Sequence, residues 1–374
     1  MTSDSATDRI KALLPTLTSD EQAFVDRLPP QYSLPDVPYV TQGEKHWSGA
    51  ACAQMLLAFF GREQPDQGAL VAKVPAWREW STFTHESLAE EMVRLMASLN
   101  LAPANYYPGR YVLPSFSTGV EGADFISSNH ELFSQIDFLY FRALFVASNA
   151  PVYIRVHFDT DEYPMDENMA TRLDTAGHGL LIVGYDSEGF LVHDPWDRAK
   201  WGGPRGGPYM HMSYDRLKTI PAVNCCQEQL MVFSPLRVRI PPPRVAIHEN
   251  REINVDIEAS LPGIKSLLGD TYPLKITDVT LDVAEGLGAE SELRQTEVGT
   301  ILPGGTSRTS FTLTTGKTPG SYRVDARVTA ILHVPAFPWE SGATPADFQI
   351  TGHGHRRIDV KSREWLNLYG RRPD

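Results

Sequence analysis

Two stretches decide the reading. They are Gln42-Gly-Glu-Lys-His-Trp-Ser48-Gly-Ala-Ala-Cys52-Ala-Gln-Met55 and, far along the chain, Gly177-His178-Gly-Leu-Leu-Ile-Val-Gly-Tyr185, which returns as Phe190-Leu-Val-His-Asp194-Pro-Trp196. The first runs from a polar loop into Leu56, Leu57, Phe59 and Phe60, which predicts a buried helix ended by Gly61. The second is an apolar run, the turn Asp186-Ser-Glu-Gly189 and another apolar run, the pattern of a β-hairpin. Such a hairpin returns Asp194 to the end that carries His178. Acyl transfer at a carbonyl needs a nucleophile at a helix start, an imidazole to take its proton, a third group to orient the imidazole, and a donor to the oxyanion. Ser48, His178, Asp194 and Gln42 supply these residue types in those roles. Gly49 and the small Ala50 and Ala51 keep the helix start open, and Trp47, Gly49, Gly177 and Trp196 are the candidate substrate-binding residues around it.

Working outward, residues 1–34 read as an N-terminal helical segment. Ile10, Leu13 and Leu14 share a face, and Thr18-Ser-Asp-Glu21 is a capping box before Phe24, Val25 and Leu28, stopped by Pro29-Pro30. Residues 35–236 read as an α+β domain. Helices are expected at Met55–Phe60, at Ser87–Ala97 with Leu88, Met92, Leu95 and Met96 on one face, and at His130–Ala147; strands follow at Pro151–His157, Leu180–Tyr185 and Phe190–His193. This is the layout of two lobes meeting in a cleft. Pro241-Pro-Pro243 reads as a hinge. Beyond it, residues 237–362 alternate apolar and polar at Ile253, Val255 and Ile257, at Phe311 and Leu313, and at Tyr322, Val324, Ala326 and Val328, with turns at Pro303-Gly-Gly305 and Pro319-Gly320. That pattern predicts an all-β immunoglobulin-like sandwich, with 363–374 as a tail.

Composition sets the outer bounds. The 374 residues, 42% hydrophobic and 21% charged, are those of a soluble globular chain long enough for two domains. A net charge of −12 without a Lys/Arg cluster excludes a dedicated nucleic-acid binder. No run reaches the roughly 18 apolar residues a membrane helix needs, and Met1–Pro15 lacks the basic start and apolar run of a secretory signal. Three cysteines, with Cys225 and Cys226 adjacent, make neither a disulfide framework nor zinc spacing, so a cytoplasmic setting is expected, with no metal and no cofactor.

Several residues invite a second role. Cys52, one helical turn after Ser48, reads as a buried structural thiol. His193 alternates to the face opposite Asp194 and reads as structural, while His157 near Arg155 is a core-edge residue or a substrate contact. The acidic run Asp159, Asp161, Glu162, Asp166 and Glu167 reads as a solvated loop, with substrate gating or cation binding as the alternative.

The segment Asp36-Val-Pro-Tyr-Val-Thr-Gln42, with Ser48-Gly-Ala-Ala-Cys-Ala-Gln-Met55, Gly177-His178, Gly184-Tyr185-Asp186 and Asp194-Pro195, resembles the bacteriocin-processing, double-glycine peptidase-like branch of the papain-like superfamily. The resemblance spans residues 35–235 and implies a papain-like two-lobed cysteine peptidase domain from a bacterial source. Members show Gln, then Cys-Gly-Pro-Ala with a Met seven residues after the Cys. Counting back from Met55, the family Cys maps to Ser48 and not to Cys52; the oxyanion Gln maps to Gln42, the His to His178 and the Asp to Asp194. Ser48 for Cys and Ala50 for Pro are the departures. Three readings of Ser48 stand: a natural Ser in a pseudoenzyme, a working Ser nucleophile, or a replacement that silences a Cys site, which the intact remainder of the site favours. A Ser hydroxyl is far less acidic than a thiol near 8.5. The expected function is therefore a cysteine peptidase or acyl/peptidyl transferase on a peptide or amide substrate, silenced at Ser48. The alternatives are a catalytically dead peptide-binding pseudoenzyme and a biosynthetic amide-forming transferase on the same scaffold.

Overall fold

Helix α1 (Ser19–Val25) starts where the sequence writes its capping box. The Thr18 hydroxyl accepts from the Glu21 N–H while the Glu21 carboxylate accepts from the Thr18 N–H. Val25 packs with Ala143 and Ile264, so this short helix is fastened to both halves of the chain. The computed structural model describes residues 18–74, 87–107, 139–159, 162–164, 175–219, 229–243, 247–264, 272–288, 291–334 and 344–362. The expected helix around Ile10–Leu14, the 130–138 part of the third helix, Cys225, Cys226, Asp161, Asp166, Glu167 and the tail lie outside those residues.

The first half is a mixed α+β domain. After β1 (Tyr32–Ser33) come α2 (Ser48–Phe59), α3 (Gln67–Ala72), α4 (Ser87–Ser98), β2 (Ala102–Tyr107), α5 (Leu139–Ser148), β3 (Val152–Asp159), β4 (Thr175–Tyr185), β5 (Gly189–Asp194), α6 (Arg198–Trp201), β6 (Gly207–Ser213), α7 (Tyr214–Thr219) and β7 (Gln229–Ser234). The strands form a seven-stranded antiparallel sheet in the order β2-β7-β3-β4-β5-β6, with β1 added along β4. Helix α2 lies on β4 and is apolar on nearly all sides; Ala50, Ala51, Cys52, Ala53, Met55 and Leu56 are all fully buried. A helix buried all round needs neighbours on every side, and α3, α4 and the sheet provide them. Strand β2 stands between two helices in the chain, so the expected order of helices first and strands later is broken there.

The second half is all β. Strands β8 (Arg237–Arg239), β9 (Ile247–His248), β10 (Glu252–Ser260), β11 (Leu274–Val283), β12 (Glu292–Ile301), β13 (Thr306–Thr314), β14 (Gly320–Val334) and β15 (Ala346–Lys361) make two sheets. One has the order β13-β10-β8 and the other β12-β11-β14-β15-β9. Alternation along the strands turns Val255, Ile257, Phe311 and Leu313 of the first sheet and Leu274, Ile276, Val279, Val324, Ala326 and Val328 of the second into one buried cluster. Among the described residues no helix is long and apolar enough to cross a membrane.

Pro241-Pro-Pro243 is not a hinge between the halves. Strand β8, which precedes it, already pairs with β10, so chain on both sides belongs to the β half. The prolines end β8 because they cannot donate to a ladder. The junction is instead a packed contact. On the β side of it, Gly352 and Gly354 of β15 lie under the Leu236 and Val238 backbone of the same half, where a Cβ would come within 2.5 Å and 2.6 Å of a carbonyl oxygen. Nearby, the Asn100 amide pairs with Thr351 like a neighbouring strand, Oδ1 accepting from its N–H at 2.7 Å and Nδ2 donating to its carbonyl at 3.0 Å. Asn100 sits at φ +63°, a left-handed conformation Asn tolerates and Ala resists. Asn100→Gly should cost about 1–2 kcal/mol, from unpaired backbone groups alone. Asn100→Ala should cost about 1 kcal/mol more through backbone strain. Chemical denaturation midpoints of the three chains check both values.

Candidate active site

Ser48 is the first residue of α2, and the residue before it, Trp47, offers no side-chain cap. The first N–H groups of a helix have no intrahelical acceptor, so this end can receive a partial negative charge from outside. Ser48 is 8% exposed, and its Oγ accepts from the Gly179 N–H at 3.1 Å. That bond ties the helix start to the residue following His178. Gly179 leaves room for Tyr153 on β3: a Cβ there would stand 3.0 Å from its ring.

His178 and Asp194 meet because of a bulge. Near the turn, Tyr185 pairs with Phe190 and Gly184 with Leu191; past the irregularity at Ile182–Gly184, Ile182 pairs with Val192 and Leu181 with His193. Extending that register one step sets Asp194 opposite Leu180, two residues from His178 and on its face. Without the extra residue Asp194 would oppose Leu181, and His178 would point through the other face of the sheet. With it, His178 Nε2 and Asp194 Oδ1 are 2.7 Å apart, both residues 1% exposed. The Asp186 side chain closes the turn, accepting from the Glu188 and Gly189 N–H groups.

Asp194 is surrounded by donors. Oδ1 also accepts from the Trp196 N–H at 3.0 Å, Oδ2 accepts from the Tyr163 hydroxyl at 2.7 Å, and the Asp194 carbonyl accepts from the Tyr39 hydroxyl at 2.9 Å. Burial pushes the carboxyl up, but the charge and hydrogen bond of His178, with those of Trp196 and Tyr163, outweigh it and hold Asp194 below its ordinary value. Sequence reasoning missed Tyr163. It lies inside the acidic run, whose charges drew attention away from the one aromatic hydroxyl among them.

Gln42 is 2% exposed, and its Nε2 donates to the carbonyls of Glu44 at 3.0 Å and Lys45 at 2.7 Å. Two carbonyl acceptors fix the orientation of the amide, since a flip would set oxygen against oxygen. Both amide hydrogens are thus spent within the 42–48 loop, and Oε1 is buried without a partner. This departs from the arrangement expected of an oxyanion donor, which needs an N–H facing the helix start. Trp47 packs over Gly43 and Gly68, half-buried, and Gly49 is half-buried beside Ser48. Gly177 pairs with His157 in the β3–β4 ladder. Trp196, expected among the substrate-binding residues, is 1% exposed, packs edge-on against the His178 ring and donates its indole N–H to the Gly202 carbonyl, so in this conformation it offers a substrate no surface. Cys52 is fully buried, and desolvation, with the Asp194 charge second, pushes its thiol well above the usual range. Among the described residues no cluster could hold a metal ion.

A model of the Peptidase_C39 like family matches residues 34–210, a span that contains Gln42, Ser48, His178 and Asp194. The match supports a papain-like, C39 peptidase-like family for this part of the chain and, at that level, a peptidase-like hydrolase. No curated relative matches the chain. Among solved structures it is similar to BslA, a bacterial hydrophobin, at 11% identity and a TM-score of 0.21 over 35% of this chain and 96% of that one, a likeness that carries no argument.

His193, beside Asp194, is fully buried between the rings of Tyr39 and Tyr209. Burial, opposed by the Pro38 carbonyl, pushes it from 6.5 down to about 4. The folded chain therefore keeps His193 neutral where the unfolded chain binds a proton. Stability should be full above pH 6.5 and fall as the pH drops toward about 4. His193→Phe should flatten that part of the profile, read from urea midpoints across the range.

Proposed function

We propose that residues 35–236 are a papain-like acyl-transfer domain acting on a peptide or amide substrate, in which Ser48 occupies the nucleophile position of a Cys-His-Asp site. The observation that supports this most is the buried His178–Asp194 pair beside the start of α2, with Ser48 Oγ bonded to the residue next to His178. In this reading Nε2–H donates to Asp194, which fixes the tautomer and leaves Nδ1 as the base toward the nucleophile. A thiol at position 48 would be favoured as thiolate by the imidazolium and the helix dipole. Its attack on a carbonyl would form the acyl bond, with the imidazolium returning its proton to the leaving amine. The helix-start N–H groups would face the oxyanion, and Gln42 would join them once one of its two loop bonds opens. Water or an amine as second acceptor would make the domain a peptidase or a transferase.

The second reading, a peptide-binding pseudoenzyme, is favoured by two observations. The Ser48 hydroxyl already accepts an N–H, which draws on the lone pair needed for attack, and both Gln42 amide hydrogens are engaged. The β half supports an immunoglobulin-like class: in chain order its sheets run first-third-sixth and second-eighth-seventh-fourth-fifth, with β9 parallel to β15. Its role would be substrate recognition or assembly. The use of cysteine fits a reducing, cytoplasmic setting.

The rate of iodoacetamide labelling against pH for Ser48→Cys separates the two readings. A working site gives labelling at position 48 with a midpoint below the ordinary thiol value of about 8.5, and His178→Ala in that background raises the midpoint. Gln42→Ala leaves labelling intact and slows turnover of an acyl substrate by about a hundredfold. A thiol that reacts like any exposed cysteine and ignores His178 marks a binding cleft.

A further inference from the structure

The Asp194 carboxylate has more partners than the His178–Asp194 pair itself accounts for, and the one on Oδ2 comes from a segment remote in the chain. Tyr163 is fully buried. Its hydroxyl donates to Asp194 Oδ2 at 2.7 Å, its ring centroid lies 4.4 Å from that of His178 at 39°, and it meets Trp196 edge-on at 5.5 Å. One side chain thus touches both the carboxylate and the imidazole.

The residue before it explains how a loop segment holds that place. Glu162 Oε2 accepts from Arg205 Nε at 2.7 Å, and Oε1 accepts from Arg216 Nη2. Arg205 belongs to the glycine-rich connection between α6 and β6, and Arg216 to α7. That connection passes close by because Gly203, at φ +89°, would put a Cβ 2.9 Å from the Glu162 carbonyl and 2.8 Å from Pro164. Gly206, at φ +105°, would put one 2.1 Å from the Trp196 carbonyl. No side chain fits at either position, so the connection lies close against residues 162–164 at Gly203 and against Trp196 at Gly206.

We propose that Tyr163 is a positioning residue for the His178–Asp194 pair, with Glu162, gripped by Arg205 and Arg216, as the pin that keeps it seated. The proposal rests on the reading of the pair as an acyl-transfer site. The hydroxyl fills the carboxylate oxygen that His178 does not face, so Asp194 stays ionised and its other oxygen stays aimed at Nε2. The ring limits rotation of the imidazole. Burial first, and the Asp194 charge second, push the phenol well above its ordinary value, so Tyr163 remains a donor across the working range. The other titratable groups facing Asp194 are His178 from β4, Tyr39 through the Asp194 carbonyl, and Cys52 from α2.

The test is proton NMR of the His178 Nε2–H in the chain as it stands, with Ser48 in place and the signal assigned by its loss in His178→Gln. In the native chain the signal should persist below the ordinary Asp value of about 3.9. In Tyr163→Phe, which keeps the ring and loses only the hydroxyl, Asp194 should take up a proton sooner. The signal should then disappear at a pH higher by about one unit and exchange with solvent about tenfold faster or more, since one of the hydrogen bonds holding the carboxylate is gone. Glu162→Gln should move both readouts the same way by less, and it decides the matter should Tyr163→Phe fail to fold. A signal that titrates and exchanges identically in the folded variants and the native chain overturns the proposal, whatever happens to the melting temperature. Failure of the underlying functional reading would look different: the NMR shifts would appear while Ser48→Cys stayed inert to acylation.

Discussion

A carboxylate buried to 1% exposure is tolerable only if its oxygens are occupied, and Asp194 is the group on which the first half of the chain is organised. His178, the Trp196 N–H and the Tyr163 hydroxyl reach it from three different segments. Each contact imposes a condition on the backbone. His178 requires the bulge in the β4–β5 ladder, Trp196 requires the chain to turn back directly after β5, and Tyr163 requires the 162–164 segment to be pressed inward. Gly203 is where that last condition is met, because its backbone approaches Glu162 and Pro164 more closely than any Cβ permits.

The same pair ties the sheet to the helix. Gly179 follows His178 and donates to Ser48, so the strand that positions the imidazole also fixes the start of α2. The helix in turn is buried on nearly all sides, which leaves its polar first residue as the place where the interior meets the site. The hydroxyl at this point is held by the Gly179 N–H. The difference between a held hydroxyl and an ionised thiol is a difference of acidity, not of geometry.

Much of this was legible in the sequence, and the misses have physical causes. Helix α2, the β4–β5 hairpin and strands β10, β13 and β14 follow from periodicity and turn chemistry. Strand β15 was not expected, because inward positions that should be apolar are Gly352 and Gly354, kept small for the chain crossing at Leu236 and Val238. Strand β12, mostly exposed with only Leu293, Val298 and Ile301 turned inward, has no regular alternation to read. The prolines after β8 looked like a hinge because a strand end and a linker share the same composition. At the site, residue identity pointed to Ser48, His178 and Asp194, but their meeting depends on the bulge, for which Gly184 inside an apolar run was the available sign. Tyr163 could not be found from spacing, since it is brought in by a salt-bridged loop rather than by a regular element.

The account stands or falls on whether position 48 is where acyl chemistry can occur. The most direct measurement is the intact mass, followed by peptide mapping, of Ser48→Cys protein exposed to an activated peptidyl acyl donor. The account predicts a single acyl adduct carried at position 48, with Cys52 unmodified in the folded chain. An adduct on Cys52, or a folded protein that takes up no acyl group at position 48, would contradict it.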